Sequence, residues 1–361
     1  GATIEGCSPR SAFDRILQKN KPCDNSPNSW HKGYFPGRYA LGILVVGSVA
    51  LDNVQTPAGT HERILGGACT YFATAASLYD RVHMIGVIGT DFPQEHIAFL
   101  RSRGIDLTGL QIVEGETFHW SGRYDEDLND AETLDTQLNV FADFHPIIPD
   151  ALRDMPYIFL ANIDPDLQVE VLEQMRAPRL TALDSMNFWM AHKRDALTRA
   201  MSLVDIVLLN ESEVKLYAQE ANLLTAARHI LLQGPKALVI KRGEHGAMLL
   251  TRGDALRESL FAVPAYPLEK VVDPTGAGDT FAAGFMGYLA KSGDLSLGGL
   301  RRALVHGTVV ASFTVQDFSI DRLRTLTPAE IEARYTDFKH LTYFAPLEDT
   351  TALQRPFKEA I

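Results

Sequence analysis

Cysteine is scarce in this chain. Three in 361 residues, Cys7, Cys23 and Cys69, are odd in number and lack metal-ligand spacing, which excludes a disulfide framework or a zinc site and leaves free thiols. Basic charge is also in short supply. Against 34 Lys and Arg stand 45 Asp and Glu, a net charge of -11 spread along the chain, which argues against a nucleic-acid surface. No apolar run approaches the roughly 20 residues of a membrane span, so no membrane partner is expected. The first residues lack the basic start and apolar middle of a secretory signal, and a cytoplasmic protein is the expectation. What the chain does have is a composition of 46% hydrophobic and 22% charged residues, enough for a sizeable core. Its length suits one large α/β domain with an insertion, or two average domains.

Residues 1–39 are rich in Pro, Gly, Ser and Asn and read as an N-terminal extension. The body is expected over 40–335 and a C-terminal tail over 336–361. It opens on a continuous apolar run from Ala40 to Asp52, the pattern of a strand buried on both faces, with Asp52 at its carboxyl end. Between Leu110 and Asp143 the pattern changes to short polar–apolar alternation. After Pro149, strands and helices alternate. The fold class expected is therefore α/β, a doubly wound, mostly parallel sheet with a small antiparallel β lid contributed by about 52–66 and 110–143. Such a lid would exclude water from a reacting group. Trp120 and Arg123 are its candidate substrate contacts, with plain strand packing as the alternative for Trp120.

The chemistry concentrates in Val271 to Gly284, where a glycine-rich turn runs into an apolar helix. Gly276 and Gly278 permit backbone conformations closed to other residues, Ala277 adds little bulk, and the helix start contributes unpaired N–H groups and partial positive charge. A phosphoryl group is the natural guest. Asp279 beside an anion hole would repel phosphate unless it has a chemical task, and general base is that task; a helix N-cap is the alternative. Asp184 and Asn187 follow one strand end, and Asn210, Glu211 and Glu213 the next. Right-handed crossovers place both clusters at the same sheet edge as Asp52. A carboxylate there can accept from two neighbouring hydroxyls of a polyol, or cap a turn or helix.

The run Asp273-Pro274-Thr275-Gly276-Ala277-Gly278-Asp279-Thr280-Phe281 resembles, without gaps, the C-terminal signature of the ribokinase/PfkB carbohydrate kinase family. The resemblance spans roughly residues 40 to 335. It implies an ATP-dependent kinase with Asp279 as base, Gly276, Ala277 and Gly278 as anion hole, and Thr275 beside the nucleotide. It also implies a substrate-binding Asp52 after Gly47-Ser48, and a Gly66-Gly67 hinge lining the substrate cleft. An N-x-x-E pair, Asn210 and Glu213, would organise Mg²⁺ through water. Lys241, Gly243 and Gly246 would be nucleotide neighbours, as would His306 unless it is structural. Asp273 with carbonyls of Val315 to Ser319 would hold a monovalent cation such as K⁺, and the lid would clasp into a homodimer. Ala50 and Tyr71 replace residues that are often Asn in ribokinase-type sequences, so ribose itself is less secure. The acceptor expected is a hydroxymethyl group of a sugar. A nucleoside kinase, with Tyr71 stacking on the base, and a catalytically silent binding or scaffold protein are the alternatives.

Overall fold

The computed structural model describes residues 42–128, 131–252 and 259–344. The extension 1–39 with Cys7 and Cys23, the first two residues of the opening run, and 345–361 of the tail lie outside the described residues.

Seven short apolar segments form the parallel part of one nine-stranded sheet: β1 Ile43–Val46, β4 Val82–Gly89, β5 Asp106–Val113, β8 Tyr157–Leu160, β9 Leu180–Asp184, β10 Ile206–Asn210 and β11 Ala237–Lys241. β12 Ala247–Thr251 and β13 Leu260–Val263 add an antiparallel edge, giving the order β13-β12-β11-β10-β9-β8-β1-β4-β5. The lack of alternation in the inner strands follows from burial on both faces, which the edge strand β5 does not share. Ile43, Val45, Leu208 and Val239 face one apolar layer, while Leu44, Val46, Val207 and Leu238 face the other. The sheet order reverses between β1 and β8, and such a switch point opens a crevice at the carboxyl ends of the strands.

The opening apolar run is not one strand. β1 ends at Val46, and Ala50–Thr56 is β2 of a second, four-stranded sheet, with β3 Gly59–Gly66, β6 Phe118–Tyr124 and β7 Ala131–Gln137 in the order β3-β2-β6-β7. The break falls where Gly47 packs so closely that a Cβ would lie 2.7 Å from that of Ala161. Asp52 thus belongs to the small sheet, not to the end of β1. That sheet is two antiparallel hairpins joined through the parallel pair β2–β6. Residues 110–113, expected in the lid, complete β5 of the large sheet beside β4.

Helices α1 Ala68–Ala76, α8 Ala277–Ser292 and α9 Leu297–Thr314 cover the layer containing Ile43. α3 Pro165–Gln174, α5 Arg194–Leu203, α6 Glu211–Ala218 and α7 Leu223–Leu232 cover the opposite one. The terminal helix α11 Pro328–Leu341 starts at a Thr327/Glu330 capping box, as Thr-Pro-Ala-Glu predicts. Among the described residues no helix is long and apolar enough to cross a membrane.

Candidate active site

α8 begins at Ala277 with Gly276 as its N-cap, in the left-handed region at φ 74° and ψ 0° with no side-chain cap. Asp279 therefore sits inside the first turn, and the N-cap alternative fails. A Cβ on Gly276 would lie 2.3 Å from the Tyr71 ring, so glycine is demanded by both conformation and space. The Ala277 amide donates to Pro274 O, whereas helix geometry leaves the amides of Gly278 and Asp279 without an intrahelical acceptor. The loop 274–279 is only half-buried, so those amides remain reachable. Burial, then the charge of Asp184, push the Asp279 carboxyl up to about 7, with Lys241 opposing.

Asp52 lies on the other side of Tyr71. It is 4% exposed, and its Oδ1 has no hydrogen-bond partner. Burial pushes it up to about 8, against the pull of the Gly67 amide. The glycine pair explains its seat. A Cβ on Gly66 would overlap Asp52 Oδ2 at 1.8 Å, and Gly67, at φ 90°, passes Ser48 O at a range no Cβ would allow. Tyr71 is 1% exposed, and its ring is spent on Gly276 and leaves no face for a base. The stacking role expected of it is corrected accordingly.

Along the strand ends, Lys241 Nζ donates to Asp184 Oδ2 at 2.5 Å, with 16% and 4% of the two side chains exposed. Asn210 and Glu213 form a reciprocal capping box at the start of α6. Asn210 Oδ1 accepts from the Glu213 amide, and Glu213 Oε2 from the Asn210 amide, both at 2.7 Å. Burial pushes Glu213 up to about 7. Among the described residues no three acidic, His or Cys side chains are grouped to hold a metal ion directly. With Asp184 committed to Lys241 and one Glu213 oxygen to its box, the donor set fits Mg²⁺ only through water and nucleotide phosphates.

Asn187 is exposed at the start of α4 Asn187–His192. Gly243 is exposed, while a Cβ on Gly246 would strike Val263 O at 2.1 Å, so that glycine serves packing. His306 is stacked between Tyr288 and Tyr335 and paired with Tyr79 Oη at 3.1 Å. Burial lowers it to about 4, and with both faces covered it offers nothing to a purine. The structural alternative stated for it is what the packing supports.

On the small sheet, Arg123 pairs with Glu132 of β7 and also lines the cavity beside Tyr124. Trp120 lies over Gly122 and donates to Thr133 Oγ1 at 3.2 Å. Trp120 is strand packing rather than a cleft contact. The residue that does reach across is Tyr124, whose hydroxyl accepts from Thr275 Oγ1 at 3.3 Å. Period-two alternation, which puts Tyr124 on the face opposite Arg123, was the signal that could have found it. A cavity of about 530 Å³ opens beside Tyr124, lined also by Gln55, Thr56, Arg123 and Asp125. Asp273, 1% exposed, accepts from the Thr275 amide at 2.9 Å and from the Ser319 amide at 3.0 Å.

Residues 41–322 match the pfkB family carbohydrate kinase. A cytidine kinase of Thermococcus kodakarensis is 33% identical over 253 residues, covering 69% of this chain and 88% of that protein. A nucleoside kinase of Methanothermobacter thermautotrophicus is 27% identical over 308 residues, covering 76% and 89%. Among solved structures, the nucleoside kinase of Methanocaldococcus jannaschii, a member of the ribokinase family, superposes with a TM-score of 0.67 at 20% identity, covering 83% of this chain and 100% of that one. The Burkholderia thailandensis nucleoside kinase in complex with inosine superposes at 0.66 and 22% identity, covering 84% and 100%. The chain belongs to the pfkB family of carbohydrate kinases and is an ATP-dependent phosphotransferase acting on a sugar or nucleoside.

Proposed function

We propose that this kinase transfers the γ-phosphoryl group of ATP to the hydroxymethyl group of a nucleoside, with Asp279 as general base. One observation carries the reading of the base: a carboxyl in the first turn of α8, beside amides with no helix partner, pushed up to about 7 by its surroundings. The acceptor hydroxyl gives its proton to Asp279 as its oxygen bonds the γ-phosphorus. The bond from phosphorus to the bridging oxygen breaks, and ADP leaves with that electron pair. The amides of Gly278 and Asp279 receive the negative charge on the phosphoryl oxygens. When bound, Mg²⁺ neutralises phosphate charge, and the waters around it would be held by Asn210 and Glu213.

Asp52, with one oxygen free of partners, accepts from sugar hydroxyls, and Tyr124 closes the small sheet over them. The nucleoside relatives support this class of acceptor over a free sugar, as does the cavity beside Tyr124, where a base attached to the sugar would extend. Asp273 and the 315–319 loop are the proposed seat of a monovalent cation.

ADP release from Mg-ATP with separate pools of nucleosides and free sugars, with and without K⁺, tests the acceptor. Release with sugars and none with nucleosides overturns it. Asp279→Asn should keep ATP binding by calorimetry and lose about a hundredfold to ten-thousandfold in kcat. Turnover like that of the wild type would remove Asp279 from the role.

A further inference from the structure

Lys241 ends β11, and its ammonium crosses the end of β10 to reach Asp184 on β9, two strands away. Neighbouring strands lie about 4.8 Å apart, so the stem is extended across the strand ends and the ammonium sits at the mouth of the crevice rather than in solvent. A Cβ on Gly278 would lie 3.1 Å from Nζ, so the ammonium rests directly against the middle of the glycine loop. A side chain at Gly278 would press on the cation and push it back from the loop. The backbone alone would provide partial charges at this point, and the arrangement adds a whole one.

Asp279 is ringed by other titratable groups: Asp184 on β9, Lys241 on β11, Glu213 on α6, Asp52 on β2, Tyr124 on β6 and Cys69 on α1. Three of those neighbours are carboxyls, and Lys241 is the cation facing them. Burial disfavours its charge, but Asp184 and Glu213 outweigh that and keep it protonated.

We propose that Lys241 is a catalytic residue, whose ammonium, placed by Asp184, meets the phosphoryl group in flight against Gly278, beside Asp279. Asp184 is then a positioning residue. The assignment rests on Asp279 being the base.

The test is the pH dependence of kcat and of kcat/KM for ATP in Lys241→Met, Lys241→Arg, Asp184→Asn and the double variant Lys241→Met/Asp184→Asn, with Asp279→Asn as control. Activity needs Asp279 deprotonated, so it rises with pH through about 7. Lys241→Met removes the neighbouring positive charge and should move that limb to higher pH. Asp184→Asn removes a negative charge and should move it to lower pH, each unit being tenfold in rate below the limb. Lys241→Arg should restore the limb. Loss of a charged hydrogen bond to the phosphoryl group should lower kcat/KM for ATP about ten- to a hundredfold in Lys241→Met.

Should the lone Met variant unfold, the double variant, which removes both members of the Lys241–Asp184 pair together, is expected to fold and to show the same loss for ATP. Shifts of the same sign in the two single variants, or unchanged kcat/KM for ATP in the double variant, overturn the proposal while an inactive Asp279→Asn leaves the base in place. An active Asp279→Asn overturns both.

Discussion

Gly276 and Gly122 each make room for an aromatic ring, one in the wall built on the large sheet and one in the small sheet. A Cβ would lie 2.3 Å from Tyr71 at the first and 2.1 Å from Trp120 at the second. The surroundings differ. Tyr71 is 1% exposed and wedged between Asp52 and the glycine loop, and Gly276 has a positive φ as well. Trp120 is half-buried and can swing off its sheet. The polar groups follow the same division: Asp273 and Asp184 are buried with short-range partners, while the Arg123–Glu132 pair is 45% and 58% exposed. The large-sheet wall is held by backbone and by contacts with no slack, which a phosphoryl-transfer geometry needs. The small sheet is held by side chains that can yield.

Five substitutions can break or sharpen that contrast. Gly276→Ala should combine a left-handed backbone with a collision against a buried ring, costing about 3 kcal/mol or more and nearly all activity. Gly122→Ala should cost about 1 kcal/mol. Chemical denaturation of the pair decides, and equal losses would dissolve the distinction between the walls.

Asp52→Asn comes next. Burial pushes the folded carboxyl up to about 8 from 3.8 in a free Asp, so the native state binds more protons than the unfolded chain between those values, and stability is lost as pH rises through that window. The Asn variant should therefore gain about 1–3 kcal/mol over the wild type above pH 8, gain little below pH 4, and lose affinity for the acceptor. Melting curves at both ends of the range check it.

Tyr124→Phe removes one bond between the walls, and a few-fold rise in KM for the acceptor with unchanged KM for ATP is expected. Arg123→Ala should change stability by less than about 1 kcal/mol, as loss of an exposed pair does, and leave KM for ATP unchanged.

Where function depends on backbone shape, the sequence was readable. Gly276-Ala277-Gly278-Asp279 announces a loop–helix anion site because only a few residues can take those conformations, and the doubly buried strands announce a covered parallel sheet. Where it depends on which strands become neighbours, little could be read. The Lys241–Asp184 pair spans 57 positions and exists only because β11 and β9 flank β10. Asn210 and Glu213 were legible as a motif, but the same spacing writes a capping box, and the structure contains that box. The opening run concealed its break at Gly47, because the two strands on either side are both buried and apolar. Tyr71 misled for a related reason: a sequence lists an aromatic without saying which of its faces is already taken.

Ser319 binds together three stretches of chain made at very different times. Its amide holds Asp273 and its hydroxyl holds Leu65 O, 254 positions earlier at the end of β3. During synthesis, the glycine loop and the edge of the small sheet both emerge from the ribosome long before the residue that ties them. A nascent chain stopped short of 319 would carry the signature, the acceptor carboxylate and most of both sheets, yet lack the tie that sets them against each other. The last thing such a chain gains is therefore the pair of hydrogen bonds that fixes the glycine loop against the rim of the small sheet.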